Sequence, residues 1–204
     1  MVQSLVKITD QVRKIITPLI TPEIKELNLK LPKSGSKYFV DWEDYLKKAY
    51  NRYIALGLRN ICELTILDVG TGIGFFPYIC LDNFNDVYCT EDKKDSDSLV
   101  LAAYKKIHND LGLRCNYFHI NSRYFPVKGS FDIITSFNIC WNVNDDGTYW
   151  RFNDYELFFS NLISHLKPEG KIFLGFLKPS IKLNIFSILK SNSEFDNRIK
   201  LLKN

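Results

Sequence analysis

Three glycines in five positions, Gly70, Gly72 and Gly74, follow directly on the apolar run ILDV at 66–69. No other stretch constrains the fold as much. Glycine in regular structure costs backbone entropy, so such a cluster marks a turn that needs unusual dihedrals or lets something approach the backbone closely. The helical pattern FFPYICLDN (75–83) leads away from it, and Pro77 is tolerated there because it falls in the first turn. The unit reads as strand, glycine turn, helix.

The chain then repeats that alternation. LTILDV (64–69), DVYCTE (86–91), NYFHI (116–120), FDIITSFNIC (131–140) and KIFLGF (171–176) are strand candidates. SDSLVLAAYKKIHNDLG (96–112) is a helix closed by a glycine. Tyr155, Phe158, Phe159, Leu162 and Leu166 make a helical face behind a capping pair, Asn153 and Glu156. Strands alternating with helices predict an α/β fold, a Rossmann-like, mostly parallel sheet with helices on both faces. Residues 1–60 instead read as a helical extension, with 61–204 as the core. In the extension Leu5, Ile8, Val12, Ile15, Ile16 and Leu19 recur at helical spacing until Pro18 and Pro22 interrupt them, and LNLKLPKSGSK (27–37) reads as a loop. Trp42, Tyr45, Leu46, Ala49, Tyr53 and Leu56 form a second helical stripe with Asp41 as N-cap. After the fifth strand, IFSILK (185–190) reads as a helix. SEF and RIKLL would be the arms of a small hairpin turning at DN.

With 204 residues, 46% of them hydrophobic, the chain can bury a core that needs no disulfide support. Five cysteines without a CxxC pair argue against a zinc site or disulfide framework and predict a reducing, cytoplasmic setting. No apolar run has the length of a membrane span, and the N-terminus lacks the order of a secretory signal. The net charge of +4 comes from lysines interleaved with acids, a weak footprint for nucleic acid.

On this scaffold the glycines sit at the carboxyl end of the first strand, where open α/β sheets bind ligands. The spacing is G-x-G-x-G. Phe75 stands where the dinucleotide fingerprint has its third glycine, which disfavours a nicotinamide-dependent oxidoreductase. The second strand ends in Glu91, a carboxylate able to accept hydrogen bonds from both ribose hydroxyls of a nucleoside, with Asp92 competing for the role. Asn121 and Ser122 follow the third strand, where polar groups can meet an adenine.

LDVGTGIG, the acid ending strand two, the polar pair after strand three, GSFDIITSFNI and HLKPEGKIFL together resemble the class I S-adenosylmethionine-dependent methyltransferases over roughly residues 60–177. KYFVDW, FFPY and FNIC bring the likeness closer to a little-characterised bacterial branch of that family. The resemblance implies S-adenosylmethionine as cofactor. Gly70, Thr71, Gly72 and Gly74 would pass under its methionine portion, and Asp68 would brace that loop and reach toward the amino group. Glu91 would hold the ribose, and Asn121 with Ser122 would meet the adenine through an amide oxygen in place of the family's usual aspartate. Phe137 and Asn138 would flank the cofactor from strand four. The family's sheet closes with an antiparallel hairpin, which the 28 residues after Phe176 would hold only in abbreviated form.

Methyl transfer from a sulfonium asks the protein mainly to align nucleophile and methyl and to exclude water. No general base stands out: His119 reads as structural, and His108 and His165 lie in helices with ordinary surroundings. The acceptor pocket is expected beyond strand four and under the N-terminal helices, with Tyr38, Trp42, Cys140, Trp141 and Asn142 as candidates. FNIC lacks the proline-cysteine of RNA cytosine methyltransferases and the proline-proline-aromatic motif of DNA amino-methyltransferases, so a small-molecule acceptor is expected, with a protein acceptor as the second choice. The alternative is a non-catalytic cofactor-binding partner or scaffold subunit of the same fold.

Overall fold

The structure, a computed structural model, describes residues 4–30, 36–83, 85–92, 98–139, 148–176, 185 and 187–202. Four helices come first: α1 (Leu5–Ile16), α2 (Pro22–Lys30), α3 (Lys37–Val40) and α4 (Trp42–Ala55). In α1, Ile8, Val12 and Ile16 recur every four residues and are buried, and Ser4 caps the helix through the Lys7 amide. In α4 the buried stripe is Trp42, Leu46, Ala49 and Tyr53. Asp41 stands at its N-cap without a side-chain capping bond. Residues 27–30, expected as loop, continue α2.

The core follows as β1 (Thr65–Val69), α5 (Phe75–Asp82), β2 (Asp86–Asp92), α6 (Ser98–Asp110), β3 (Arg114–Phe118), β4 (Phe131–Ile139), α7 (Phe152–Ser164), β5 (Leu166–Phe176), α8 (Ser193–Arg198) and β6 (Ile199–Leu201). One six-stranded sheet has the order β3-β2-β1-β4-β5-β6, and every pairing is parallel. β1 and β4 are neighbours although β2 and β3 intervene in sequence. The strand order therefore reverses at β1, which opens a crevice at the carboxyl ends of these two strands.

Alternate residues of each strand face opposite layers. Ile66, Val87, Cys89 and Phe137 join the N-terminal helices, α5 and α6 in one hydrophobic cluster, while Leu67, Val69, Ile134, Ile172 and Leu174 join α7 and the C-terminal segment in another. The helical extension thus shares its core with the sheet.

Two local expectations are corrected. The start of α7 is capped two residues before the predicted pair: Asp154 Oδ2 accepts from the Arg151 amide at 2.9 Å. The C-terminal hairpin does not form. SEF begins α8, capped by Asn192 Oδ1 accepting from the Glu194 amide at 2.9 Å, and β6 runs parallel to β5, with Ile172 opposite Ile199. The physical reason is length and pattern. The 22 residues between Phe176 and Ile199 suffice for a crossover, and Ile185, Ile188, Leu189 and Phe195 bury against the sheet on the way.

The KPEG stretch is part of a bulged β5: Leu166 pairs with Phe131, and pairing resumes at Lys171 with Ile133. Arg198 clamps the bulge, its Nη1 donating to the carbonyls of Lys167, Pro168 and Gly170. Lys167 Nζ also reaches Asp132 Oδ2 at 2.7 Å, and that oxygen accepts from the Thr65 amide at 2.8 Å. The SFDII and HLKPEG phrases are therefore structural fasteners at the amino end of the sheet. A Cβ on Gly170 would lie 2.8 Å from the Phe131 carbonyl oxygen, a backbone atom that cannot step aside. Gly170→Ala is expected to cost about 2 kcal/mol of stability, read as a lower urea midpoint at unchanged slope.

Candidate active site

The glycine turn opens β1 into α5. Gly70, Gly72 and Gly74 all hold positive φ, at 70°, 59° and 87°, a region that side chains rarely enter. The loop is pinned to β2: the Gly70 and Thr71 amides both donate to the Thr90 carbonyl at 2.9 Å. Gly74 starts α5 and is pressed so closely that a Cβ would sit 2.7 Å from Leu113 and 2.9 Å from His108. A Cβ on Gly72 would meet nothing within 4 Å, so space lies open above that residue.

Beside this loop is a hollow. Its floor is Asp68, Gly70, Thr71, Gly72 and Ile73. Its walls are Phe75, Phe76 and Phe137, and Tyr38, Tyr45, Ala49 and Arg52 roof it from α3 and α4. Asp68 is 3% exposed, and its Oδ1 accepts from the Thr135 hydroxyl at 2.6 Å. Burial pushes its carboxyl up, while the Thr135 and Thr71 hydroxyls and the Arg52 charge pull it back. Arg52 lies with its guanidinium 4.6 Å over the Phe137 ring. Its own pKa is lowered by burial, against the favourable charge of Asp68. The Thr71 hydroxyl is buried without a partner at normal hydrogen-bond length.

Glu91 closes the loop from below. Its Oε2 accepts from the Gly72 amide at 2.5 Å. Burial pushes its carboxyl up to about 8, with the Gly72 N–H pulling the other way. His108 holds the loop from α6. Nε2 lies 2.8 Å from the Gly72 carbonyl and Nδ1 2.6 Å from the Tyr117 hydroxyl. A carbonyl only accepts, so Nε2 carries the proton and Nδ1 accepts from Tyr117.

Of the residues singled out in the sequence, Asp68, Gly70, Thr71, Gly72, Phe137 and Tyr38 meet at the hollow, with Glu91 bonded to its loop. Asn121 and Ser122 lie apart from it. The Asn121 amide oxygen expected to face an adenine accepts instead from the amides of Arg123 and Tyr124 at 3.0 and 2.7 Å. The Ser122 hydroxyl donates to Asp154 Oδ1 at 3.3 Å. Trp42 is 7% exposed in the core, with the Arg13 guanidinium 5.8 Å over its ring, and is not among the residues lining the hollow. Asn138 belongs to β4, but its side chain, and Cys140, Trp141 and Asn142 altogether, lie outside the described residues.

Sequence reasoning missed Arg52, Tyr45 and His108. A signal existed for Arg52: Tyr45, Ala49 and Arg52 follow at i, i+4 and i+7, which sets a cation on an otherwise apolar helical stripe. His108 had none, since only the tertiary fold brings α6 to the glycine turn. Among the described residues no helix is long and apolar enough to cross a membrane, and no group of three or more metal-ligating side chains occurs.

A parallel sheet that reverses its strand order at a glycine turn, with a buried acid near the end of the next strand, defines an α/β protein of Rossmann-like architecture. A family model described as a methyltransferase domain matches residues 67–174, which is 108 of the 204 residues. The chain belongs to that family. No curated protein matches the chain. Solved structures resembling it include the ribosomal protein L11 methylase of Lactobacillus delbrueckii subsp. bulgaricus, at 20% identity and TM-score 0.48, covering 69% of this chain and 65% of that one. Another is DesVI of Streptomyces venezuelae, at 18% identity and TM-score 0.46, covering 63% and 49%. A third is CalS10, an amino pentose methyltransferase from Micromonospora echinaspora, at 21% identity and TM-score 0.45, covering 68% and 52%. The chain thus spans from about half to just under two thirds of the length of these three proteins.

Proposed function

We propose that the chain transfers a methyl group from S-adenosylmethionine to a small-molecule acceptor. The observation that carries this reading is that a cation, Arg52, and a buried carboxylate, Asp68, both line the hollow beside the glycine loop and act on each other electrostatically. The amino-acid end of the cofactor bears a carboxylate and an ammonium. A half-buried guanidinium suits the first and a buried carboxylate the second. Gly70 and Gly72 let the chain lie close beneath, and the Thr71 hydroxyl gains a partner. Glu91 receives the ribose hydroxyls, Phe137 flanks the nucleoside with Asn138 beyond it, and the Asn121–Ser122 turn borders the adenine.

When bound, the cofactor supplies an electrophilic methyl on a good leaving group. The residues of the chain then fix its orientation and keep water out, and the roof of residues 1–60 caps the core for this purpose. The acceptor enters on the side of Tyr38 and Tyr45. Aromatic walls beside a few polar groups suit a small ligand. Five cysteines without a paired motif support a reducing, cytoplasmic setting.

The test is calorimetric titration of the full chain with S-adenosylhomocysteine, then transfer of a labelled methyl group into cell extract. Saturable one-to-one binding and label in the small-molecule fraction are expected. Absence of binding overturns the cofactor site, and label confined to macromolecules overturns the acceptor class.

A further inference from the structure

β2 and β3 place two cysteines directly opposite each other: Cys89 pairs with Cys115 in the parallel register. Paired residues of neighbouring strands point to the same face, with strands about 4.8 Å apart, inside the Cα separation of about 4.4–6.8 Å that a disulfide bridges. Both thiols are free, and they are hydrogen-bonded to one another. Their exposure differs. Cys89 is 1% exposed, whereas Cys115, on the edge strand, is partly accessible. Their surroundings differ too. The Cys89 thiol stabilises a thiolate at Cys115, and hydrogen bonding to Cys115 together with burial holds the Cys89 thiol protonated. An accessible thiolate beside a buried thiol is the arrangement in which one sulfur attacks and the other resolves.

We propose that Cys89 and Cys115 are a redox-active dithiol whose oxidation by a low-molecular-weight disulfide, such as oxidised glutathione, ties β2 to β3 beneath the glycine loop. The Cys115 thiolate attacks one sulfur of the oxidant, breaking its S–S bond, forming a mixed disulfide and releasing one glutathione thiolate. The Cys89 thiol gives its proton to the medium and attacks Cys115 Sγ, and the second glutathione departs. Two electrons pass from the protein dithiol to the oxidant, and two glutathione thiols result. The bridge lies two residues before Glu91 on β2 and two before Tyr117 on β3, which bonds the His108 ring that holds the Gly72 carbonyl. Closing it draws the strands together under both supports of the loop, so the oxidised form grips the nucleoside less well. This last consequence rests on the cofactor reading above.

The full chain is equilibrated in glutathione buffers of graded potential, alkylated, and mapped by mass spectrometry without reduction. A linked peptide pair containing Cys89 and Cys115 is expected in the wild type and in Cys62→Ser, and in neither Cys89→Ser nor Cys115→Ser. Full alkylation of both thiols under conditions that modify the exposed Cys62 overturns the proposal, as does a mixed disulfide at Cys115 that never resolves. The affinity of each form for S-adenosylhomocysteine is then compared, and a several-fold loss on oxidation is expected. Equal affinities overturn the coupling to the loop. If the reduced protein fails to bind, the cofactor reading falls while the mapped bridge stands by itself.

Discussion

Arg52→Met is expected to weaken the binding of S-adenosylhomocysteine about fiftyfold and to leave 5′-methylthioadenosine, which lacks the amino-acid end, bound as before. The reasoning starts from what methionine keeps. Its side chain still covers Phe137, whose ring the Arg52 guanidinium now overlies at 4.6 Å, so the roof of the hollow retains its apolar contact. What disappears is the charge facing Asp68. A hydrogen bond to a charged group contributes about 1.5–3 kcal/mol, and each 1.4 kcal/mol is about tenfold in affinity. The two ligands separate the causes. An equal loss for both would mean that the substitution only disturbed packing between α4 and β4, and no loss for either would show that Arg52 does not meet the carboxylate. Calorimetry on both ligands, with circular dichroism to check the fold, reads the outcome.

Arg52 also shows what a sequence conceals. The strand–glycine–helix unit, the order of elements through β5 and the acid after β2 were legible because each is written in a short contiguous pattern: period-two runs, a glycine cluster, a helical stripe. The same holds for the apolar faces of α1 and α4. What could not be read depends on pairs far apart in the chain. His108 matters because it meets Gly72 and Tyr117, and Asp132 because it meets Lys167 and the Thr65 amide. The hairpin expected at the C-terminus failed for a related reason. RIKLL alternates as a strand should, but alternation does not say in which direction a strand pairs. The buried helical positions Ile185, Ile188, Leu189 and Phe195 decided that by carrying the chain back across the sheet. Trp42 illustrates the converse. An aromatic in a motif-like phrase drew attention as a ligand contact, and its stripe with Leu46, Ala49 and Tyr53 puts it in the core.

The affinity for S-adenosylhomocysteine is expected to rise steeply with pH up to about 8, by up to about fiftyfold between pH 6 and pH 8, and to be nearly flat over that range in Glu91→Gln. Burial raises the Glu91 carboxyl from 4.5 to about 8 in the empty protein, so at neutral pH most molecules carry it protonated. Ribose hydroxyls are donors and favour the ionised form, which lowers the carboxyl's pKa in the complex. Below about pH 8 binding must therefore expel a proton, and each unit of pH costs up to tenfold in affinity. The same displacement acts on folding. A carboxyl held above its unfolded value stabilises the empty protein fully below about pH 4.5, and that contribution is lost as pH rises through about 8. Ligand affinity and the stability of the empty fold thus move in opposite directions with pH, a signature that a surface carboxylate would not give. Calorimetry in buffers of different ionisation enthalpy counts the released proton. A wild-type affinity independent of pH from 6 to 8, with no proton release, would remove Glu91 from the ribose and leave it as a prop for the Gly72 amide alone.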